Sequence, residues 1–189
     1  MIKELIKKNR SYRRFYEEVP ISRKILEELI DLARLSASAA NRQPLKYILS
    51  YEKNKNDLIF FTLGWAGYLK DWPGPIKGER PSAYIVMLGD TGISNNYWCD
   101  PGIAAQSILL GATEKGLGGC IFGSVKKEEL KSILGIEEKY EILYVIAMGT
   151  PKEKVVLENV KPDGDIKYWR DSEEVHHVPK RILKDIIVN

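Results

Sequence analysis

Cysteine and histidine are scarce in this chain of 189 residues. The two cysteines, Cys99 and Cys120, are too few for a disulfide framework, and neither has a metal-ligand partner at a suitable spacing. The two histidines are His176 and His177, and adjacent side chains diverge on a helix or a strand, which makes them a poor pair of metal ligands. We therefore predict no metal site and a reducing compartment.

Long apolar runs and long basic runs are also missing. No apolar run approaches the roughly 18 residues needed to span a membrane, and residues 1–8 alternate charged with apolar positions, unlike a signal peptide. The net charge of +3 comes from 29 basic and 26 acidic residues spread along the chain, without the clustered footprint of a nucleic-acid-binding surface. The expectation is a cytoplasmic protein with neither a membrane nor a nucleic acid as its partner.

The fingerprints of nucleotide-binding domains are lacking too. The glycine-rich segment 116–123 does not fit G-x-G-x-x-G, because the sixth position is Ile121, and it follows a predicted helix instead of a strand. The phosphate-loop pattern G-x-x-x-x-G-K-[ST] does not occur. The sequence therefore predicts no Rossmann domain.

Two polar segments near the start of the chain suggest anion binding instead. Residues 10–14 read Arg-Ser-Tyr-Arg-Arg, and each guanidinium can place two N–H donors on a phosphate, although a solvated basic face has the same composition. Residues 36–41 are small and polar, so a flat ligand could approach their backbone closely, and Gln43-Pro44 forces an extended exit from this segment. A plain helix-to-strand connection is the alternative for the second segment. We call residues 10–14 the basic arm and residues 36–44 the polar loop.

Hydrophobic periodicity predicts an α+β fold, a central sheet sandwiched by helices, because the elements alternate without regular βαβ spacing. That the sheet is mainly antiparallel is implied by the family resemblance given below. The predicted helices cover 2–9, 22–35, 55–63, 101–116 and 126–134, and the predicted strands cover 46–51, 83–89, 119–122 and 141–149.

Helix 101–116 is expected to start after an Asp100 N-cap and to end at Gly116. Its small and apolar residues predict burial on every side. Ala104, Ala105 and Gly111 would let a second helix approach closely, from the same subunit or from a partner.

Two further segments have less regular patterns. Residues 64–80 combine bulky aromatics with glycines and prolines, which suits either a lid over a ligand or a satellite core. Beyond Pro151 the chain is polar for nearly 30 residues, until the apolar segment 182–188. A lone strand there could not support itself and would have to join a sheet.

The basic arm, the polar loop and segment 116–123 together resemble the nitroreductase family of flavoproteins, which carry an R-S-x-R arm and an S-x-x-N-x-Q-P loop. The resemblance implies bound FMN, with NADH or NADPH docking transiently as the electron donor. It also implies a homodimer with shared flavin sites, in which a C-terminal strand is exchanged between subunits. Departures are Leu45, where many relatives have an aromatic residue, and a chain shorter than is typical.

The resemblance also implies the cofactor contacts. Arg10, Ser11, Lys180 and Arg181 would hold the phosphate, and Arg13 would lie near the pyrimidine end of the ring. The backbone of Phe122 and Gly123 would face flavin N5, and the ring would touch the polar loop, partly from the other subunit, through Ala37, Ser38, Ala39 and Asn41. The match at 178–181 is looser, and Lys167, Arg170 and Lys184 compete for the phosphate role.

The resulting expectation is a single domain over 1–189, with residues 1–15 as an N-terminal helix and arm and residues 152–189 as an extension wrapping the partner. Segment 182–188 would add a strand to the partner's sheet; a flexible tail with a strand on its own sheet is the alternative.

The enzyme would pass hydride from NAD(P)H through flavin N5 to an electron-poor acceptor, such as a nitroaromatic or a quinone, with ping-pong kinetics. The flavin carries this chemistry, so no side chain is assigned as catalytic. A flavin-binding protein with little turnover, or a flavin-free interaction protein, remains the alternative, and the donor and acceptor stay open.

Overall fold

The computed structural model describes residues 1–161 and 164–188. Its α-helices are α1 (Ile2–Lys8), α2 (Arg23–Arg34), α3 (Lys53–Phe60), α4 (Asp100–Glu114) and α5 (Lys127–Leu134). Its strands are β1 (Leu45–Ser50), β2 (Ala83–Asp90), β3 (Gly118–Phe122), β4 (Tyr140–Gly149), β5 (Val155–Asn159), β6 (Trp169–Arg170) and β7 (His176–Lys180). Short 3₁₀ turns occur at Ala39–Asn41 and Leu183–Asp185.

A four-stranded antiparallel sheet forms the centre, in the order β1-β2-β4-β3. Alternate residues of β2 enter two different cores, because successive side chains of a strand point to opposite faces. Ile85 and Met87 pack with α2 and α4, whereas Tyr84 and Val86 pack with α3 and α5. The sheet is therefore covered by helices on both faces, which confirms the predicted α+β fold.

Helix α4 is less enclosed than its composition predicts. Gly102 and Gln106 are exposed, and Gly111 packs against α2 of the same chain, where a Cβ would lie 2.2 Å from Leu32 Cδ1. The small residues thus admit a helix of the same subunit. The predicted Asp100 N-cap is also wrong, because Cys99 precedes the helix and the Asp100 carboxylate has another use, described below.

The C-terminal region differs most from expectation. The polar stretch after Pro151 forms a second sheet, in which β7 pairs parallel with β5 and antiparallel with β6. The strand expected over 182–188 does not form in the single chain, where Leu183–Asp185 is a 3₁₀ turn and most of the segment is exposed. Sequence periodicity is weak in such short strands, so nothing in the pattern indicated this second sheet.

The helices are short. Within residues 1–161 and 164–188, none is both long enough and apolar enough to cross a membrane.

Candidate functional site

The basic arm is fixed to the edge of the central sheet at β3. Ser11 forms a bridge with Gly119, and the Tyr12 backbone N–H donates to the Gly119 carbonyl at 3.1 Å. A side chain at Gly119 would be obstructed, because its Cβ would lie 2.8 Å from the Ala147 carbonyl oxygen and 2.7 Å from Leu109 Cδ2. Glycine at this position therefore lets the arm and the sheet pack closely.

The arm forms one wall of a cavity of about 380 Å³, which we call the arm cavity. A volume of this size falls in the range of small-molecule sites. Its described lining includes three cationic side chains and no carboxylate, so it is suited to an anion. The lining residues are Asn9, Arg10, Ser11, Arg13, Gln106, Leu109, Gly119, Ile121, Tyr168, His176, Val178 and Lys180.

Arg10 has a buried donor without a partner in the described part of the chain. Its Nη2 donates to the Ile6 carbonyl at 2.7 Å, but its buried Nε has no hydrogen-bond partner among the described residues. Burial lowers the pKa of Arg10 from its usual value, because desolvation disfavours the charged form. A buried donor without an acceptor is costly, and an anion close to this guanidinium would offset part of that cost.

Arg13 is held on both its backbone and its side chain. Its backbone N–H donates to the buried Glu153 carboxylate. Its Nη1 lies 3.2 Å from the Ser11 carbonyl oxygen and 3.3 Å from His176 Nε2. The guanidinium also lies over the Tyr168 ring, 4.7 Å from its centroid. These contacts fix Arg13 at the wall of the arm cavity.

His176 and Tyr168 are site residues that sequence reasoning missed. In the sequence, His176 stands out only as half of an adjacent histidine pair, and Tyr168 belongs to no motif. The two histidines do diverge, because His176 is 1% exposed at the arm while His177 lies between Glu158 and Asp171. Only the three-dimensional pairing of β7 with β5 brings His176 beside the arm, so the sequence carried no local signal for it.

Arg14, the last residue of the arm, has a structural role instead. Its Nε and Nη2 donate to the two carboxylate oxygens of Glu79, at 2.6 and 2.8 Å, and its Nη1 lies 2.8 Å from Glu174. A bidentate pair of this kind satisfies the guanidinium. Arg14 anchors the arm and does not line the arm cavity.

The polar loop is held by the first residue of α4. The Asp100 carboxylate accepts hydrogen bonds from Ser38 Oγ at 2.6 Å and from the Ala39 N–H at 2.9 Å. Ala40, Asn41 and Gln43 have φ angles of 50°, 52° and 53°, in the left-handed region that costs energy for residues other than glycine. Backbone strain of this kind clusters at ligand sites, and the anchor at Asp100 helps the loop to retain it.

Ala37 and Ser38 line a different cavity, of about 300 Å³, which we call the loop cavity. Gln43, Tyr47 and Asp100 also line it, whereas Ala39 and Asn41 do not. Among the described residues, the loop cavity and the arm cavity have no lining residue in common. One chain therefore keeps the two predicted halves of the site apart.

The remaining predicted site residues are the basic pair at the end of β7 and the two residues at the end of β3. Lys180 and Arg181 are both exposed, and of the two only Lys180 lines the arm cavity. The Phe122 side chain points away from the cavity into the core, with its ring centroid 4.6 Å from that of Trp65. Gly123 is exposed at the end of β3, and Ile121 is the residue of this strand end whose side faces the arm cavity.

The aromatic segment 64–80 provides a satellite core at its start. Trp65 packs on Phe60, Phe122 and Trp72, which matches one of the two interpretations of its sequence. Farther along, the segment contacts the C-terminal region. The Tyr68 and Tyr168 ring centroids are 4.9 Å apart, and the Arg170 guanidinium lies 4.3 Å from the Trp72 ring centroid.

Comparison with known proteins places this geometry in a family. The model of the nitroreductase family matches residues 6–64 and 78–150, which is well over half of the chain. The chain belongs to the nitroreductase family. The matched residues include the basic arm, the polar loop and β3, so the resemblance noted from their sequences is confirmed. Segment 65–77 and everything after residue 150 lie outside the matched residues.

Individual nitroreductase relatives agree with this assignment. An Archaeoglobus fulgidus protein with the provisional name NADH dehydrogenase/NAD(P)H nitroreductase is 30% identical over 151 residues, covering 75% of this chain and 80% of its own. A solved Bacteroides thetaiotaomicron structure with the same provisional name has a TM-score of 0.70 at 20% identity, covering 99% of this chain and 96% of its own.

An FMN-dependent nitroreductase from Clostridium difficile has a TM-score of 0.65 at 23% identity and covers 82% of this chain and 89% of its own. At this level of identity the two solved structures establish the nitroreductase fold. The names of the three relatives agree with the expected cofactor, FMN, and with the expected donor, NAD(P)H.

Proposed function

We propose that this nitroreductase-family chain is an FMN-dependent oxidoreductase that takes electrons from NADH or NADPH and reduces an electron-poor small molecule, such as a nitroaromatic or a quinone. The observation that carries the proposal is the arm cavity. It has Arg10, Arg13 and Lys180 in its wall and no carboxylate among its described lining residues. A cavity with that charge and a volume of about 380 Å³ suits a phosphate-bearing ligand.

The residues present fit FMN. The unpartnered Arg10 Nε is a buried donor beside the cavity, and Ser11 and Lys180 lie in the same wall. We assign these three residues to the phosphate. Arg13, fixed by Glu153 and His176, would place its positive charge toward the ring end of the ligand.

Bound FMN would supply the hydride chemistry, taking hydride from NAD(P)H and giving it to the acceptor in the same place, so we expect ping-pong kinetics. The protein's part is binding and electrostatics. A fixed guanidinium in a partly dry site stabilises nearby negative charge more strongly than water would, because it needs no reorganisation. Of the oxidised and reduced forms of a bound ligand, Arg13 would therefore stabilise the one that carries more negative charge.

A homodimer would complete the site. In one chain the polar loop and the arm belong to separate cavities, so a ligand touching both would need the loop of a second copy. The incompletely covered side of α4, which includes Gly102 and Gln106, is available for such a contact. We propose further that the chain is one domain, that residues 152–189 reach toward the partner, and that the enzyme is cytoplasmic.

The test is an absorbance spectrum of the purified protein with and without added FMN, followed by anaerobic NADH or NADPH. We expect flavin bands that persist through gel filtration and that bleach rapidly with at least one donor. Riboflavin is the matched control ligand, because it lacks only the phosphate, and it should bind far more weakly than FMN.

Two outcomes would contradict the proposal. A protein that remains colourless with excess FMN would be a flavin-free interaction protein. A yellow protein that bleaches slowly with both NADH and NADPH would be a flavin-binding protein without efficient turnover.

A further inference from the structure

The C-terminal extension reaches the arm cavity through His176, a residue outside the part of the chain that the family model matches. Its Nε2 lies 3.3 Å from Arg13 Nη1, and its ring centroid lies 5.2 Å from that of Tyr168. The same Tyr168 ring lies under the Arg13 guanidinium. Arg13 is thus held between two side chains of the extension.

The direction of the hydrogen bond follows from the chemistry of the two groups. A guanidinium can only donate, so His176 Nε2 must accept, which requires a ring that carries its proton on Nδ1. Burial, with Arg13 and Arg170 nearby, lowers the pKa of His176 to about 4. The ring is therefore neutral near pH 7 and keeps an acceptor free for Arg13.

A second contact fixes the Arg13 backbone from the same extension. Glu153 accepts the Arg13 N–H and also pairs with Arg170 at 3.0 Å, in a buried ion pair. Because Glu153 holds the backbone, the loss of the His176 acceptor would leave the Arg13 side chain with the Ser11 carbonyl and the Tyr168 ring alone, and would loosen it without detaching the arm. The two contacts can therefore be separated by mutation.

We propose that His176 is a positioning residue, which orients the Arg13 guanidinium in the arm cavity and thereby raises the preference of the site for reduced over oxidised FMN. This inference rests on the proposed function, since it concerns FMN bound at that site. Reduced flavin carries more negative charge when bound beside a cation, so a fixed Arg13 favours it more than a mobile one. This preference for reduced FMN would then depend on the C-terminal extension, which contains His176.

The experiment compares His176→Phe with His176→Gln in the FMN-loaded protein. Phenylalanine keeps a ring against Tyr168 but removes the acceptor, whereas glutamine offers an amide oxygen to Arg13. Dissociation constants for oxidised FMN and midpoint potentials of the bound flavin are measured. We expect H176F to lower the preference for reduced over oxidised FMN about tenfold. For a two-electron couple this corresponds to a midpoint potential about 30 mV more negative than that of the wild-type protein.

Matched variants separate positioning from packing. H176Q should recover most of the wild-type potential, and His177→Gln, at the neighbouring histidine outside the cavity, should leave it unchanged. In an Arg13→Gln background H176F should add little, because the residue it positions has gone. If H176F does not fold, His176→Leu takes its place with the same expectation.

The outcomes distinguish this inference from the proposed function. If wild-type protein binds FMN and H176F has an unchanged potential, the positioning role is wrong. The same conclusion follows if H176Q shifts the potential as much as H176F, or if H176F acts equally in the R13Q background. If wild-type protein does not bind FMN at all, the proposed function itself fails.

Discussion

Glu79 is the carboxylate that pairs with two cationic side chains at the base of the arm. It accepts two hydrogen bonds from Arg14, and Lys152 Nζ lies 3.0 Å from its Oε1. Hydrogen bonds from Arg14, and then from Lys152, outweigh the effect of burial and lower the pKa of Glu79 to about 2. The carboxylate therefore stabilises the folded arm at neutral pH.

We expect Glu79→Gln to lower the free energy of unfolding by about 2–3 kcal/mol at neutral pH. The folded-state pKa lies below the ordinary value, so this contribution is present above about pH 4.5 and is lost as the pH falls toward about 2. Urea unfolding of wild type and E79Q at about pH 7 and pH 3 measures it, and the difference should shrink at the lower pH.

The exposed pair of Arg23 and Glu27 supplies the control for that experiment. Glu27→Gln should leave the free energy of unfolding nearly unchanged at both pH values, because exposed ion pairs contribute little. A destabilisation of E79Q that did not change with pH would show that lost packing, and not the charge, is responsible.

Lys180 and Arg181 offer a second test at the scale of single residues, because they are adjacent and only Lys180 lines the arm cavity. Lys180→Gln should weaken FMN binding about tenfold, since it removes a charged donor from the phosphate site, and should leave riboflavin binding unchanged. Arg181→Gln should change neither. Fluorescence titrations of both variants measure this, and an equal loss in the two would assign the phosphate to the basic pair as a whole.

Among the elements, α4 connects the two halves of the candidate site and depends on a small residue where it crosses α2. A Cβ at Gly111 would lie 2.2 Å from Leu32 Cδ1 and 3.1 Å from Leu29 Cδ2. We expect Gly111→Ala to destabilise the fold by about 1 kcal/mol, because the methyl group must displace the Leu32 and Leu29 side chains, at a cost that exceeds the gain in helix propensity. Thermal or urea unfolding measures the loss.

Gly102 is the matched control in the same helix, since a Cβ there meets no described atom within 4 Å. Gly102→Ala should not destabilise the folded subunit, because a methyl group there meets no described atom of the same chain and gains helix propensity. If both alanine variants stabilised the protein, the contact between α2 and α4 would be looser than the structure has it.

The elements that the sequence predicts well have a strong apolar pattern. Strand β2 is a continuous apolar run and helix α2 has a regular apolar face, and the predicted bounds of both lie close to the observed ones. Strand β7 reads His-His-Val-Pro-Lys and depends on β5 for pairing, so it lacks the apolar pattern by which the equally short β3 is predicted. Asp100 looked like a helix cap because the polar loop that uses its carboxylate lies far away in sequence.

For the candidate site, the sequence predicts the residues that belong to short consecutive motifs. The arm and the polar loop were found because their residues are consecutive, and the structure places Arg10, Ser11, Arg13 and Lys180 around one cavity. His176 and Tyr168 could not be found, because their roles depend on how the extension folds back on the arm. For the same reason the sequence does not indicate which of Lys180 and Arg181 lines the arm cavity.

At the scale of the whole molecule, the proposed sharing of sites between two subunits can be tested by complementation. Arg10→Glu should abolish FMN binding through the arm, and Ala39→Trp should abolish it through the polar loop. If each site takes its arm from one subunit and its loop from the other, then mixed and re-associated variants should regain about a quarter of the wild-type sites. Flavin absorbance after gel filtration counts them.

Each variant alone, refolded in parallel, is the control for that experiment. No recovery in the mixture would mean that arm and loop serve the same site from one chain. FMN binding by one variant alone would mean that the segment it alters does not contact FMN. Recovery beyond a half would show that the single variants retain binding.

The contacts between segment 65–77 and the C-terminal extension have a consequence for how this protein can diverge from its relatives. Tyr68 meets Tyr168 and Trp72 meets Arg170, yet both segments lie outside the residues matched by the family model. A graft of either one alone into another member of the family would leave its aromatic surface uncovered. The two are therefore a matched set, to be exchanged, lost or redesigned together.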